Sequence, residues 1–246
     1  GAVRNLGLEM AEGQYISFVD SDDYIAENML EQMLAYIREK KADLLICDFF
    51  MVDGIHIQRR QQLTAPAVWQ DDTFMQYIAN EKILSFPWNK LYRKELFARI
   101  CYPLNMAFED QYIFHRLVQR AECIAYVNDA YYYYRINPNG LSRSLHTKNA
   151  YDCFRADLER QRFMVEYYPQ YAESCWNHII NNACNTCWRY LYTGQGKEYA
   201  DAAKDYLRKY QKKFFCSSSV SLNAKGKILS VILGINKLKW QKKFKN

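Results

Sequence analysis

Apolar positions along the first part of the chain switch between helical and extended spacing. Leu6, Met10 and Ala11 share one helical face, and Gly13 stands where a C-terminal cap belongs. Residues 15–19 form a short apolar run ending in Asp20-Ser21-Asp22-Asp23, the pattern of a buried strand that empties into a polar loop. Met29, Met33, Tyr36 and Ile37 then recur at helical spacing within 27–40, and 43–52 predicts a second strand turning at Asp53-Gly54. A helix is expected over 73–83, and 88–93 leads into another short one. Glu109-Asp110 opens an amphipathic helix carrying Ile113, Leu117 and Val118, with its acids where the helix dipole favours negative charge. Two strand-like runs, 123–127 and 130–134, flank Asn128-Asp129. This alternation predicts an α/β sheet.

Beyond Gly140 the extended patterns stop. Three long helical patterns at 149–168, 170–192 and 198–215 are divided by Pro169 and by Gly194-Gln195-Gly196. The expected organisation is an α/β body over 1–145 and a helical extension with a basic tail over 146–246, without internal repeats.

Composition narrows this picture. Apolar types make up 50% of the 246 residues and charged types 24%, with nine Gly and five Pro, which excludes a disordered or low-complexity chain. The longest apolar candidate, 228–235, is under half a bilayer span, and no secretory leader pattern opens the chain. Eight cysteines without framework spacing favour reduced thiols in a cytoplasmic setting, and the Cys184-xx-Cys187 pair reads as two small apolar positions on a helix. Charge is uneven. After residue 203 the chain holds twelve Lys or Arg and one acid, so the remainder is net negative although the whole is +6. Lysines around the apolar run and around Trp240 and Phe244 suit an anionic membrane surface rather than nucleic acid. The expected location is therefore peripheral, on the inner face of the plasma membrane.

The sharpest local chemistry is Asp20-Ser21-Asp22-Asp23. Three carboxylates within four residues repel unless a cation or protons intervene, and strand ends in α/β sheets face ligand crevices. A hard divalent ion, Mg²⁺ or Mn²⁺, fits oxygen ligands of this kind. A solvated turn capping the next helix is the plain alternative.

Context decides between them. Arg4-Asn5-Leu6-Gly7-Leu8-Glu9, Ala11, Gly13 and Tyr15-Ile16-Ser17-Phe18-Val19-Asp20-Ser21-Asp22-Asp23 closely resemble the signature of family 2 glycosyltransferases. Trp88-Asn89-Lys90-Leu91-Tyr92, Glu109-Asp110 and Tyr132-Tyr133-Tyr134-Arg135 with Ser142 continue the resemblance to about residue 145. It implies the C-terminal part of a GT-A, Rossmann-like mixed sheet followed by the helical extension. The activity implied is inverting transfer of a sugar from a nucleotide-sugar donor, typically a UDP-sugar. The acceptor would be a hydroxyl of a glycan or lipid-linked molecule in surface polysaccharide assembly. By the resemblance, Asp20 faces the nucleotide, Asp22 with Asp20 holds the metal, and Asp110 is the general base. Trp88, Asn89, Lys90 and Glu109 lie near the sugar and acceptor, while Arg135 and Ser142 close over the diphosphate. His146 is a further candidate beside the metal or acceptor. The family's opening strand and its second acidic segment have no counterpart here, so an N-terminally truncated domain is expected. Two other functions fit the residues alone: a metal-dependent phosphohydrolase built on the Asp20 cluster, and a glycan- or membrane-binding module without turnover.

Overall fold

The computed structural model describes residues 1–137, 140 and 145–234. Cα packing divides the chain into two units, Gly1–Asn105 with Glu109–Gly140, and Met106–Phe108 with the described residues that follow 140.

The first unit is a seven-stranded mixed sheet with helices. Helix α1 (Ala2–Met10) precedes β1 (Tyr15–Ser17) and β2 (Tyr24–Ile25). Helix α2 (Met29–Glu39) leads into β3 (Leu44–Asp53) and β4 (His56–Arg60), followed by β5 (Ala67–Trp69), α3 (Phe74–Ala79) and β6 (Lys90–Arg93). Helix α4 (Glu109–Arg120) and the long strand β7 (Ile124–Arg135) complete it. The main order is β1-β6-β3-β7-β2; β4 adds to β3 and β5 to β7. Strands β3 and β7 run parallel at the centre, and the other pairings are antiparallel. Strand β3 is buried from Leu44 to Phe49, as a central strand covered on both faces should be. Alternation along it sends Leu45, Cys47 and Phe49 to one side, where they meet Met29, Met33 and Ile37 of α2 and Trp88, Ala125, Val127 and Tyr132.

Two local expectations change. Asn128-Asp129 does not end a strand: β7 is continuous, and a bulge opposite Cys47, Asp48 and Phe49 absorbs the extra residues. Helix α1 stops at Met10 on an extended Ala11, two residues before Gly13, because the chain must straighten into β1. The hairpin at Asp53-Gly54 is as patterned, with Gly54 at φ +57° and Asp53 opposite His56.

The second unit is helical. Its helices are α5 (Thr147–Tyr167), α6 (Trp176–Thr193), α7 (Lys197–Cys216) and α8 (Leu222–Ile232), with a 3-10 stretch at Pro169–Cys175. Cys184 and Cys187 are buried on α6. No disulfide links the eight cysteines, all of which lie among the described residues. No described helix is long and apolar enough to cross a membrane. Ser142 and the tail from 235 onward lie outside the described residues.

Candidate active site

The acidic loop leaves β1 and is pinned to β7. The Asp20 amide donates to Tyr132 Oη at 3.0 Å, and the Tyr132 hydroxyl donates to Asp23 Oδ2 at 2.7 Å. The Arg135 amide donates to Asp23 Oδ1 at 2.7 Å. Both Asp23 oxygens are therefore engaged, yet burial, with Asp22 and Asp20 nearby, still pushes its carboxyl above the usual range. Asp23 shapes the loop, whereas Asp22 stands exposed at its tip.

Asp20 faces the other way. Helix α1 supplies Arg4, whose Nη2 donates to Asp20 Oδ1 at 2.9 Å and whose Nη1 pairs with Glu109 Oε1 at the start of α4. Burial opposes the guanidinium charge, but the two carboxylates outweigh it and hold Arg4 above its ordinary value. Arg4 was not singled out in the sequence, since its partners lie 16 and 105 residues away. Its place in the first motif was the available signal.

Through Glu109 the Arg4 guanidinium also reaches the field of the neighbouring Asp110. Asp110 sits in the first turn of α4, and its carboxyl is pushed up to about 6 by burial first and by Glu109 second, against the pull of Arg4 and Lys90. Its Oδ2 accepts from Ser85 Oγ at 3.4 Å, a long contact. The Gln111 amide is its other hydrogen-bond donor, and burial outweighs the two, so the carboxylate keeps a raised affinity for a proton.

Trp88, Asn89 and Lys90, expected near the sugar, sit beneath the surface. Trp88 is 3% exposed and stacks on Phe86, Tyr132 and Tyr134, with centroids 4.9, 4.4 and 5.6 Å away. Asn89 Nδ2 donates to the Cys47 carbonyl at 2.6 Å, and Lys90 is turned into the interior over the Phe114 ring. Glu109, also buried, is held by Arg4. The Arg135 side chain is exposed at the end of β7. His146, in the helical unit, precedes α5 and is exposed. Thus the structure gathers Asp20, Glu109 and Asp110 around Arg4, and joins Arg135 to the acidic loop through its backbone.

Asp22 and the oxygen of Asp20 that does not face Arg4 are hard ligands. Mg²⁺ and Mn²⁺ are commonly held by one or two carboxylates, the remaining positions going to substrate phosphate and water. Among the described residues no group of three or more ligating side chains converges. The donor set therefore fits a cation whose coordination a phosphate-bearing ligand completes.

Residues 1–101 match the family model for glycosyl transferase family 2. The chain is 28% identical over 181 residues to the glycosyltransferase GlyG of Streptococcus pneumoniae, covering 70% of this chain and 57% of that protein. It is 33% identical over 181 residues to Bacillus subtilis EpsH, covering 68% and 52%. The chain thus spans little more than half the length of these curated relatives. Residues 1–349 of S. aureus TarS, solved in complex with UDP-GlcNAc, share the fold at a TM-score of 0.56 and 19% identity, over 94% of this chain and 70% of that one. TarS is named a poly(ribitol-phosphate) beta-N-acetylglucosaminyltransferase.

Proposed function

The chain belongs to glycosyltransferase family 2, and from that premise we propose that it transfers a sugar, with inversion, from a UDP-sugar to a hydroxyl of a glycan or lipid-linked acceptor in surface polysaccharide synthesis. The observation that carries this reading is the Arg4 bridge. One guanidinium ties Asp20, in the loop after β1, to Glu109 in the first turn of α4, which supports the reading that the donor-side carboxylates and the neighbouring Asp110 serve one site. Family membership and the UDP-GlcNAc held by TarS support the choice of donor.

In the proposed step Asp110 takes the proton of the acceptor hydroxyl. That oxygen bonds to the anomeric carbon as the bond from this carbon to the nucleoside diphosphate breaks on the opposite face, which inverts the centre. A base held at about 6 is ionised at neutral pH yet basic enough to accept a proton as the bond forms. Asp22 and Asp20 would hold Mg²⁺ or Mn²⁺, which supplies positive charge against the departing diphosphate. The exposed Arg135 guanidinium, with Ser142, grips the same diphosphate through its fork of donors. Trp88, Asn89 and Lys90 support the sugar and acceptor side from beneath, and Glu109 anchors Arg4. Residues 1–145 form the catalytic part and 146–246 an extension. Calorimetry with UDP-GlcNAc tests the donor site: binding should require Mn²⁺ or Mg²⁺ and weaken strongly in Asp22→Ala. Equal affinity in EDTA would contradict the reading.

The extension docks the protein on the anionic inner face of the plasma membrane. Leu222, Leu229 and Leu233 are 86, 46 and 62% exposed, an apolar stripe on the outer side of α8. The sequence after residue 203 holds twelve basic residues against one acid, which gives this part of the chain a positive charge. Co-sedimentation with vesicles should require anionic lipid, fall with salt and vanish on deletion of 225–246. Equal pelleting of the deleted protein would remove this role.

A further inference from the structure

Lys90 is wholly buried, and its ammonium donates to the carbonyls of Leu84 at 2.7 Å and Phe86 at 2.5 Å and to Asn89 Oδ1 at 2.8 Å. An ammonium has three N–H donors, so all are taken and none remains for a ligand. The two carbonyls lie on either side of Ser85, whose Oγ is the donor to Asp110 Oδ2. The segment is rooted as well. Asn89 donates to the Cys47 carbonyl, the Cys47 amide donates back to the Asn89 carbonyl at 3.0 Å, and the Leu84 amide donates to Gln62 Oε1 at 3.0 Å.

We infer that Lys90 and Ser85 are positioning residues for the Asp110 carboxylate: the ammonium clamps the chain on both sides of Ser85 and thereby fixes the hydroxyl that orients the carboxylate. A loop carrying a lone serine samples many orientations, and ordering its backbone carries an entropic cost that the three charge-assisted bonds offset. The arrangement also explains why a lysine is retained in the core. Burial pushes it down to about 7, while Asp110 pulls it back toward its charged form. The inference rests on the reading of Asp110 as the base.

Its test reads the carboxylate without a substrate. In the full chain labelled with ¹³C at aspartate carboxyls, the Asp110 signal is followed against pH in the unsubstituted protein and in Ser85→Ala, Ser85→Thr and Lys90→Met. The other groups facing Asp110 are Glu109, Arg4, the Gln111 amide and the buried Tyr92 and Tyr102 hydroxyls, and these stay constant across the series. Removing a donor to a carboxylate, or a nearby cation, disfavours the charged form. The Ser85→Ala midpoint should therefore rise by roughly half a pH unit, about what one modest hydrogen bond contributes. Ser85→Thr, which keeps the hydroxyl, should restore it, and Lys90→Met should raise it at least as far. Should Lys90→Met fail to fold, the serine pair decides alone. An Asp110 midpoint unmoved in folded Ser85→Ala would overturn the clamp. Normal turnover in Asp110→Asn would instead remove the base assignment, so the two failures are separable.

Discussion

Asp48, at the bend of β3, and Asp110, at the start of α4, are both pushed above the ordinary carboxylate range by burial, and the protein answers the two differently. Around Asp48 the donors are complete. The Tyr126 hydroxyl and the Gln62 amide, at 3.0 Å, serve Oδ1, and Arg59 reaches Oδ2 at 3.2 Å. Those partners tie the hairpin strand β4 and the segment after it to β3 and β7, so this acid is part of the scaffold. Around Asp110 the contacts are a long one from Ser85, the Gln111 amide and the pull of Arg4 and Lys90, with Glu109 pushing the other way. A buried carboxylate surrounded by donors has its charge satisfied in place, whereas a sparsely served one holds its charge at a cost and can still take a proton. Asp48 is wholly buried with both oxygens served, whereas Asp110, the proposed base, is half-buried and served less completely.

The largest change in stability should come from the well-served acid. Asp48→Ala leaves the Gln62 amide without its acceptor, takes from the Tyr126 hydroxyl its shortest partner and removes the buried charge that Arg59 faces, so urea unfolding should report a loss of about 2 to 4 kcal/mol. Tyr126→Phe removes a donor to Asp48 and the acceptor of the Leu63 amide and should cost about 1 to 1.5 kcal/mol. A loss in Tyr126→Phe as large as that in Asp48→Ala would show that the tyrosine, and not the carboxylate, organises this region.

Much of the sheet body was legible because its signals are local. The apolar spacing of Met29, Met33 and Ile37 marks α2, and the acids opening α4 follow from the helix dipole. Asn128-Asp129 misled because a bulge is a property of the pair: β7 absorbs the extra residues only against its partner β3. Strands β2 and β5 escaped for the same reason, being two and three residues long and defined by their pairing with β7. In the candidate site, the motifs name Asp20, Asp22, Glu109 and Asp110. The Arg4 bridge, the Tyr132 link to Asp23 and the Ser85 contact join residues 105, 109 and 25 apart, which no periodicity reports. Trp88, Asn89 and Lys90 carry polar or aromatic groups that suit a sugar, but Trp88 is stacked among rings and the Asn89 and Lys90 donors are engaged by backbone carbonyls, and only the folded chain shows this.

As the proposed base, Asp110 holds at neutral pH a charge that burial makes costly and that its proposed chemistry requires, and one variant tests both halves. The folded-state value of about 6 lies above the ordinary carboxylate value of 3.8. The native state therefore binds more protons than the unfolded chain between those values, and the contribution of Asp110 to stability, full at low pH, is lost as pH rises through about 6. Asp110→Asn cannot ionise. At pH 8 it should be more stable than the unsubstituted protein by about 1 to 2 kcal/mol, a gain that disappears near pH 4. In the same preparation it should bind UDP-GlcNAc normally and transfer sugar about 10² to 10⁴ times more slowly. A variant that loses stability at pH 8 and keeps its transfer rate would place Asp110 with Asp48, as a second structural acid, and contradict the account.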